Sequence, residues 1–366
     1  MCIRDRFSQD GLAYVGGFNG LFRTTDRGKT WQELETLAKG TIIDMAISPT
    51  YERDGTAAVA TYVGGVYMTR DRGQTWQAVN RDLFLPRFVR LSTEKGEERQ
   101  DPRRFFDVDF SPRFADDHTL WVTMLWSALL RSTTSGDHWD ITTMPEQIRG
   151  VTLGVSPNFA EDHTVLVSNQ RGVILRSQDG GATFKHLSKV PHPQGNVAPW
   201  FAFSPNFKTD RTVFTTGGEG IYQSTDAGQT WTVLTQQGPL ADTAEIQLAI
   251  SPNYASDRTL WAGTIHGLYR SRDQGKTWQE VNPLSAVTPT ATVTQTSATA
   301  TATPAPIAPP IAPPIANVQG LALSPDYGRD RTVLVSLKGE GLVLSEDDGQ
   351  TFRRIGNPQW EFSRMN

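Results

Sequence analysis

The sequence predicts an all-β chain, a seven-bladed β-propeller of four-stranded antiparallel blades, on two repeated phrases and the alternating segments between them. The first phrase is an octapeptide. Its clearest copy is Ser271-Arg272-Asp273-Gln274-Gly275-Lys276-Thr277-Trp278, and others begin at Thr24, Thr69, Ser132, Ser177, Ser224 and Ser345. The aromatics closing the copies, Trp31, Trp76, Trp139, Phe184, Trp231, Trp278 and Phe352, stand 45, 63, 45, 47, 47 and 74 residues apart. A recurring period of this size marks stacked supersecondary units, none of which buries its apolar face alone. The second phrase, Ser-Pro-x-aromatic-x-x-Asp-x-Thr, falls between successive octapeptides at Ser48, Ser111, Ser156, Ser204, Ser251 and Ser324.

Within the octapeptide, a hydroxyl and a carboxylate two residues apart suit a tight turn, where each bonds local main chain. The glycine two places after the aspartate suits a positive φ. Thr and Trp then restart an extended segment, with the indole covering the turn from its apolar side. The repeated carboxylates Asp26, Asp71, Asp179, Asp226, Asp273 and Asp347 are therefore read as structural, since so many copies of one group cannot form one active site.

Each second phrase follows a period-two segment such as Leu248-Ala249-Ile250 or Phe201-Ala202-Phe203, read as an innermost strand with small residues for a crowded centre. A second strand leaves the phrase, a short turn usually closed by Gly leads to a third, and the octapeptide joins the third to the fourth. Four hairpin-linked strands per repeat make a propeller blade. This connectivity puts both repeated phrases on one rim. The strand-two-to-three turns and the connections between blades share the other, variable rim, where function would be grafted.

The whole chain, 1–366, reads as a single propeller. Blades two to seven occupy about 41–356, and blade one about 7–35 with strands at 12–15, 21–23 and 30–34. A ring must close to avoid open sheet edges. The missing innermost strand is expected from the tail, 360–363, because at 3–7 Asp5 would fall where other blades carry a large apolar residue. Two stretches interrupt the array: a charged segment at 90–104, read as a solvated loop, and a Thr/Ala/Pro-rich tract at 283–316 that cannot build a core.

With a net charge of −4 and a pI near 5.9, nothing favours nucleic acid or an anionic membrane as partner. No apolar run approaches the roughly 18–20 residues of a membrane span, and no cleavable leader is visible. Residues 1–6 resemble a translated sequencing-adapter remnant, so the natural start is expected to be missing. Tracts like 283–316 are common in exported proteins, which points to an extracytoplasmic or cell-envelope setting. The single cysteine, Cys2, excludes a disulfide framework and a CxxC metal site. His118 and His163 hold the turn position that Arg211, Arg258 and Arg331 hold in other blades, and His186, His192 and His266 lie on the variable rim without clustered ligands. No metal or other cofactor is assigned.

The octapeptide resembles the Asp-box, or bacterial neuraminidase, repeat, and the resemblance covers essentially the whole chain outside the two insertions. The third copy departs from it: Ser132-Thr133-Thr134-Ser135-Gly136-Asp137-His138-Trp139 lacks the central Asp and has His for Thr, so that turn is expected to be the least well braced. Families sharing the motif include sialidases, xyloglucanases, the sortilin ectodomain and the photosystem II stability and assembly factors, and sparse decoration makes this chain most like the last. A sialidase would need an arginine triad and a Phe-Arg-Ile-Pro signature before its first box. The nearest string here, Phe352-Arg353-Arg354-Ile355-Gly356, leaves the last box instead.

A xyloglucanase would need two carboxylates across a cleft, roughly 6.5–9.5 Å apart for inversion. By strand register the candidates are Asp44, Asp107 and Glu245, whose alternative reading is as hydrogen-bonded or solvated ends of inner strands. The variable rim is expected to present Phe18, Asn19, Trp126, Arg171, Glu219, His266 and Glu340, with Trp200 level with Asp44 and Asp107. Mixed aromatic and charged groups on a rigid ring suit a protein or peptide ligand. The resulting expectation is a non-enzymatic scaffold that binds a protein or peptide, with a glycan-active or glycan-binding propeller as the alternative.

Overall fold

A computed structural model describes residues 2–3, 11–18, 20–34, 41–83, 105–124, 129–142, 144–145, 152–169, 171–191, 200–218, 220–235, 238–241, 243, 246–284 and 316–355. Most of the segments at 90–104 and 283–316 lies outside this set. Seven four-stranded antiparallel sheets follow in chain order, each with its strands hydrogen-bonded in sequence. The innermost strands are Cys2–Ile3, Ile42–Ile47, Phe105–Phe110, Thr152–Val155, Phe201–Phe203, Gln247–Ile250 and Val318–Leu323, and each adjoins its neighbours around a common axis. Small residues there answer to crowding: a Cβ on Gly154 would sit 2.7 Å from that of Phe201 in the next blade.

Blade one corrects one expectation. The edge beside Ala13–Gly17, assigned above to residues 360–363, is taken by Cys2–Ile3, with Cys2 opposite Tyr14 and Ile3 opposite Ala13. The two-residue ladder stops short of Asp5, so the objection to a local first strand does not arise. A nearby segment also closes a shorter loop than the tail would. Residues 360–363 lie outside the described residues. Blades one and seven pack Ala13 and Val15 against Leu334, Leu342, Leu344 and Ile355, and the Trp31 indole donates to the Ile355 carbonyl.

The second phrase forms more than a turn. Its aromatic opens a one-turn helix, as in Tyr51–Asp54 and Tyr254–Asp257, closed by a left-handed residue: Gly55, His118, His163, Arg211, Arg258 or Arg331. Ser48 Oγ donates to Asp54 at 2.6 Å, while the other Asp54 oxygen accepts the Thr56 N–H at 2.8 Å. The phrase's aromatic reaches the preceding blade. Tyr51 meets Tyr14 edge to face at 6.5 Å, Phe159 meets Trp121, and Tyr254 meets Phe214.

The octapeptide turn has the expected bonds. In blade six Ser271 Oγ donates to Asp273 at 2.7 Å and accepts the Gly275 N–H at 2.8 Å, while Asp273 accepts the Thr277 N–H at 2.9 Å and hydroxyl at 2.6 Å. Gly275 has φ +86°, and the residue before it, Gln274, is also left-handed at φ +69°. This second inverted residue turns its N–H onto the carbonyl that caps the one-turn helix, Gln274 to Arg258 at 3.1 Å. The same bond joins Arg27 to Gly11, Arg72 to Gly55, Ser135 to His118, Gly180 to His163, Ala227 to Arg211 and Asp348 to Arg331. Both repeated phrases therefore share one rim and are clipped together in blades two to seven, and the box turn of blade one makes the same bond to Gly11.

The third turn keeps part of this bracing. Thr134 Oγ1 takes the carboxylate's place and accepts the His138 N–H at 2.9 Å, and the His138 ring turns away to Asp82. The box indoles also do more than cover their own turns. Trp139 donates to the Val79 carbonyl of blade two and Trp231 to Ser188 of blade four, whereas Trp278 stays on its own Gly275. At the joint of blades six and seven, Asp348 binds Arg270, Arg272 and the Tyr327 hydroxyl.

Candidate functional site

Adjacent innermost strands splay too far apart for a ladder, and polar side chains bridge them instead. The register of Ile42–Ile47 shifts between Ile42 and Asp44, and Asp44 Oδ2 accepts the Val108 N–H of blade three at 2.9 Å. Asp107 Oδ2 accepts the Leu153 N–H of blade four at 3.0 Å. Gln247 makes the equivalent bridge by donating to the Gln319 carbonyl at 2.8 Å. Asp44 and Asp107 thus sit on the inner strands where register placed them and act there as staples between blades.

They also converge. Asp44 reaches the Val108 N–H, which places it between Asp107 and Asp109 along the next strand, close enough for its charge to bear on both. Burial, then the Asp44 charge, pushes Asp107 well above the usual carboxylate range against the opposing Leu153 N–H. Asp109, half-buried and bonded to the Phe110 N–H, is pushed up to about 7 by burial and then by the Asp44 charge. Directly opposite Asp107 in the ladder is Thr123, fully buried, whose hydroxyl has no hydrogen-bond partner. Among the described residues no ion pair involves the three carboxylates, and no group of three or more His, Cys, Asp or Glu is arranged to hold a metal ion.

An aromatic pair stands at the same end of the axis. The register shift at the start of Phe105–Phe110 leaves Phe106 unpaired, and its ring lies 6.0 Å from that of Trp200 at an interplanar angle of 31°. The two come from blades three and five, so they meet past the inner strand of blade four. The Trp200 carbonyl accepts from Thr215 at 2.8 Å, which fixes the residue at the start of its strand.

The variable rim carries an apolar arc. Phe18, Val63 and Ile265, exposed by 40, 57 and 39 %, cap the strand-two-to-three turns of blades one, two and six. With blade seven between six and one, these four blades are consecutive around the closed ring. Glu340 of blade seven pairs with Arg354. His266 and Arg171 are exposed, their backbone N–H groups bonded to Thr264 and Asn169 in their own turns. Asn19, Trp126, Glu219 and Glu245 lie outside the described residues. Sequence reasoning passed over Phe106, Asp109, Val63 and Ile265. The signal for the first two was the string FFDVDF, charged and aromatic where other inner strands carry Ala or Gly.

The family model for sortilin, neurotensin receptor 3, matches residues 172–301. Among curated proteins none matches. A GH74 xyloglucanase from Xanthomonas campestris superposes with a TM-score of 0.58 at 16% identity, over 93% of this chain and 46% of its own. The chain thus spans less than half the length of that enzyme. YCF48 bound to D1 peptide superposes with a TM-score of 0.55 at 15% identity, over 93% and 83% of the two chains. YCF48 from Cyanidioschyzon merolae does so at 0.53 and 17%, over 86% and 84%. At these identities the likeness is one of fold. By fold and by repeat, the chain is a seven-bladed Asp-box β-propeller.

Proposed function

We propose that this protein is a non-enzymatic scaffold that binds a protein or peptide partner through its variable rim and the axial mouth it surrounds. One contrast carries the reading. On the motif rim the repeated polar groups bond to one another in every blade, whereas three of the four exposed large apolar side chains among the described residues lie on the opposite rim, on blades six, one and two. Exposed aromatic and aliphatic groups bordered by charge are what protein interfaces use as anchors. The similarity to YCF48, solved with a D1 peptide, lends a precedent within the fold.

A glycan-active reading draws on the xyloglucanase similarity and on the carboxylates at the mouth. The bonds of Asp44 and Asp107 to the Val108 and Leu153 N–H groups of the next blade give both a structural role, which weighs against it. The test is affinity capture from the native host with the full chain, a Phe18→Glu/Ile265→Glu double variant and an Asp273→Ala motif-rim variant. A partner retained by the motif-rim variant and lost from the double variant is expected. Equal loss from both, or turnover of xyloglucan by the pure protein, would overturn the reading.

A further inference from the structure

We propose that the axial mouth is a receptor for one basic side chain, an amine or guanidinium, presented by the partner. This rests on the partner-binding reading and gives that surface a chemical selectivity. Asp44 sits on the Val108 N–H, between Asp107 and Asp109 along the neighbouring inner strand, and no Lys, Arg or His among the described residues pairs with any of the three. Crowding keeps protons on Asp107 and Asp109 that a lone carboxylate would have shed, and an incoming cation offsets the cost of releasing them.

A second, independent observation points the same way. Thr123 is fully buried beside Asp107, yet its hydroxyl is unsatisfied. Directly opposed residues of an antiparallel ladder put their side chains on one face about 5 Å apart, so an N–H donor reaching Asp107 also comes within range of the Thr123 oxygen. Buried hydroxyls are seldom left without partners, and those that are call for an occupant or a role.

The aromatic pair supplies the rest of the recognition. Phe106 and Trp200, both half-buried, pack ring to ring at 6.0 Å with a tilt of 31° beside Asp107, Phe106 being its neighbour in the strand. Aromatic faces attract ammonium and guanidinium groups, and the methylene stem of Lys or Arg packs on such surfaces while its charged head goes deeper. An inorganic cation fits less well, because the described carboxylates are not arranged as a metal cage and an ion draws nothing from the hydrophobic approach.

The probes are N-acetyl-arginine amide, N-acetyl-lysine amide and the uncharged N-acetyl-citrulline amide, added to the full chain and followed by ligand-observed NMR. The expected result is saturable binding of the two cations and at least tenfold weaker binding of the citrulline amide. Asp109→Asn keeps an oxygen for the Phe110 N–H and removes a half-buried charge, so the fold is retained, and it should weaken the cations at least tenfold. Phe106→Ala should weaken them several-fold. Equal binding of citrulline amide, unchanged binding to Asp109→Asn, or displacement of the arginine amide by stoichiometric Ca²⁺ or Mg²⁺ would overturn the proposal. Partner capture separates this inference from the reading beneath it. If Asp109→Asn and Phe106→Ala retain the partner while Phe18→Glu/Ile265→Glu loses it, the rim binds and the mouth selects nothing. If the double variant also retains it, the rim reading itself fails.

Discussion

The box is named for its aspartate, but in blade six the serine should matter more to stability. Ser271 is 1 % exposed, and its hydroxyl accepts the buried Gly275 N–H at 2.8 Å while donating to Asp273 at 2.7 Å. Ser271→Ala strands that N–H inside the turn, where no water reaches it, for a cost of about 1–3 kcal/mol. Asp273→Ala removes the acceptor of the Thr277 N–H and hydroxyl, but Thr277 is exposed and both groups bond water instead. Its cost should be about 1 kcal/mol, the net worth of a solvated hydrogen bond. Urea unfolding followed by tryptophan fluorescence measures both as midpoint shifts at constant slope. The double variant should cost less than the two singles together, because the residues share a bond. An Asp273→Ala cost equal to or above that of Ser271→Ala would refute the claim that satisfying the buried Gly275 N–H is what chiefly stabilises the turn.

Two pH windows should be separable. Asp109 titrates at about 7 in the folded chain against about 3.9 unfolded, so the native state holds its proton more tightly. Its stabilisation is complete below about pH 4 and is lost as pH rises through 7; the full chain should therefore unfold at lower urea at pH 8 than at pH 5, and Asp109→Asn should erase much of that difference, an unchanged difference counting against the cluster. Asp26, Asp71 and Asp179 are held at about 2, Asp26 chiefly by the Thr30 hydroxyl and the other two by Thr75 and Thr183 bonds that outweigh the opposing effect of burial. Stability from these groups is present above about pH 4 and disappears as pH falls through 2, so the urea midpoint should drop between pH 4 and pH 2, and a flat profile there would contradict the turn geometry.

The blade count, strand order and assignment of rims were legible because they depend on side-chain pattern and period. The helical turn at Tyr51–Asp54 was not, since four residues carry no helical periodicity to read. Nor was the clip between the two phrases. It depends on left-handed backbone at Arg27, Arg72 and Gln274, whose side chains do not advertise that conformation. Register placed Asp44 and Asp107 correctly, but their lean onto the neighbouring blade follows from the splay between sheets, which no single repeat encodes. The innermost strand of blade one was misassigned by judging side-chain fit at Asp5 where main-chain pairing over Cys2–Ile3 was sufficient.

Because the clip lies on the motif rim, each blade is bound like a book along its spine. On that edge the helical turn is fastened to the box turn, and so the first two strands to the last two, by the same bond in blades two to seven. At the opposite edge the leaves are held by their hairpin turns and by side chains such as Asp44 and Asp107 that bridge to the next volume. Strain from twisting a sheet then falls on the opposite edge rather than on the spine. Amides along the spine, Gly275 and Gln274 among them, should exchange with solvent more slowly than those at the tips bearing Phe18 and Val63.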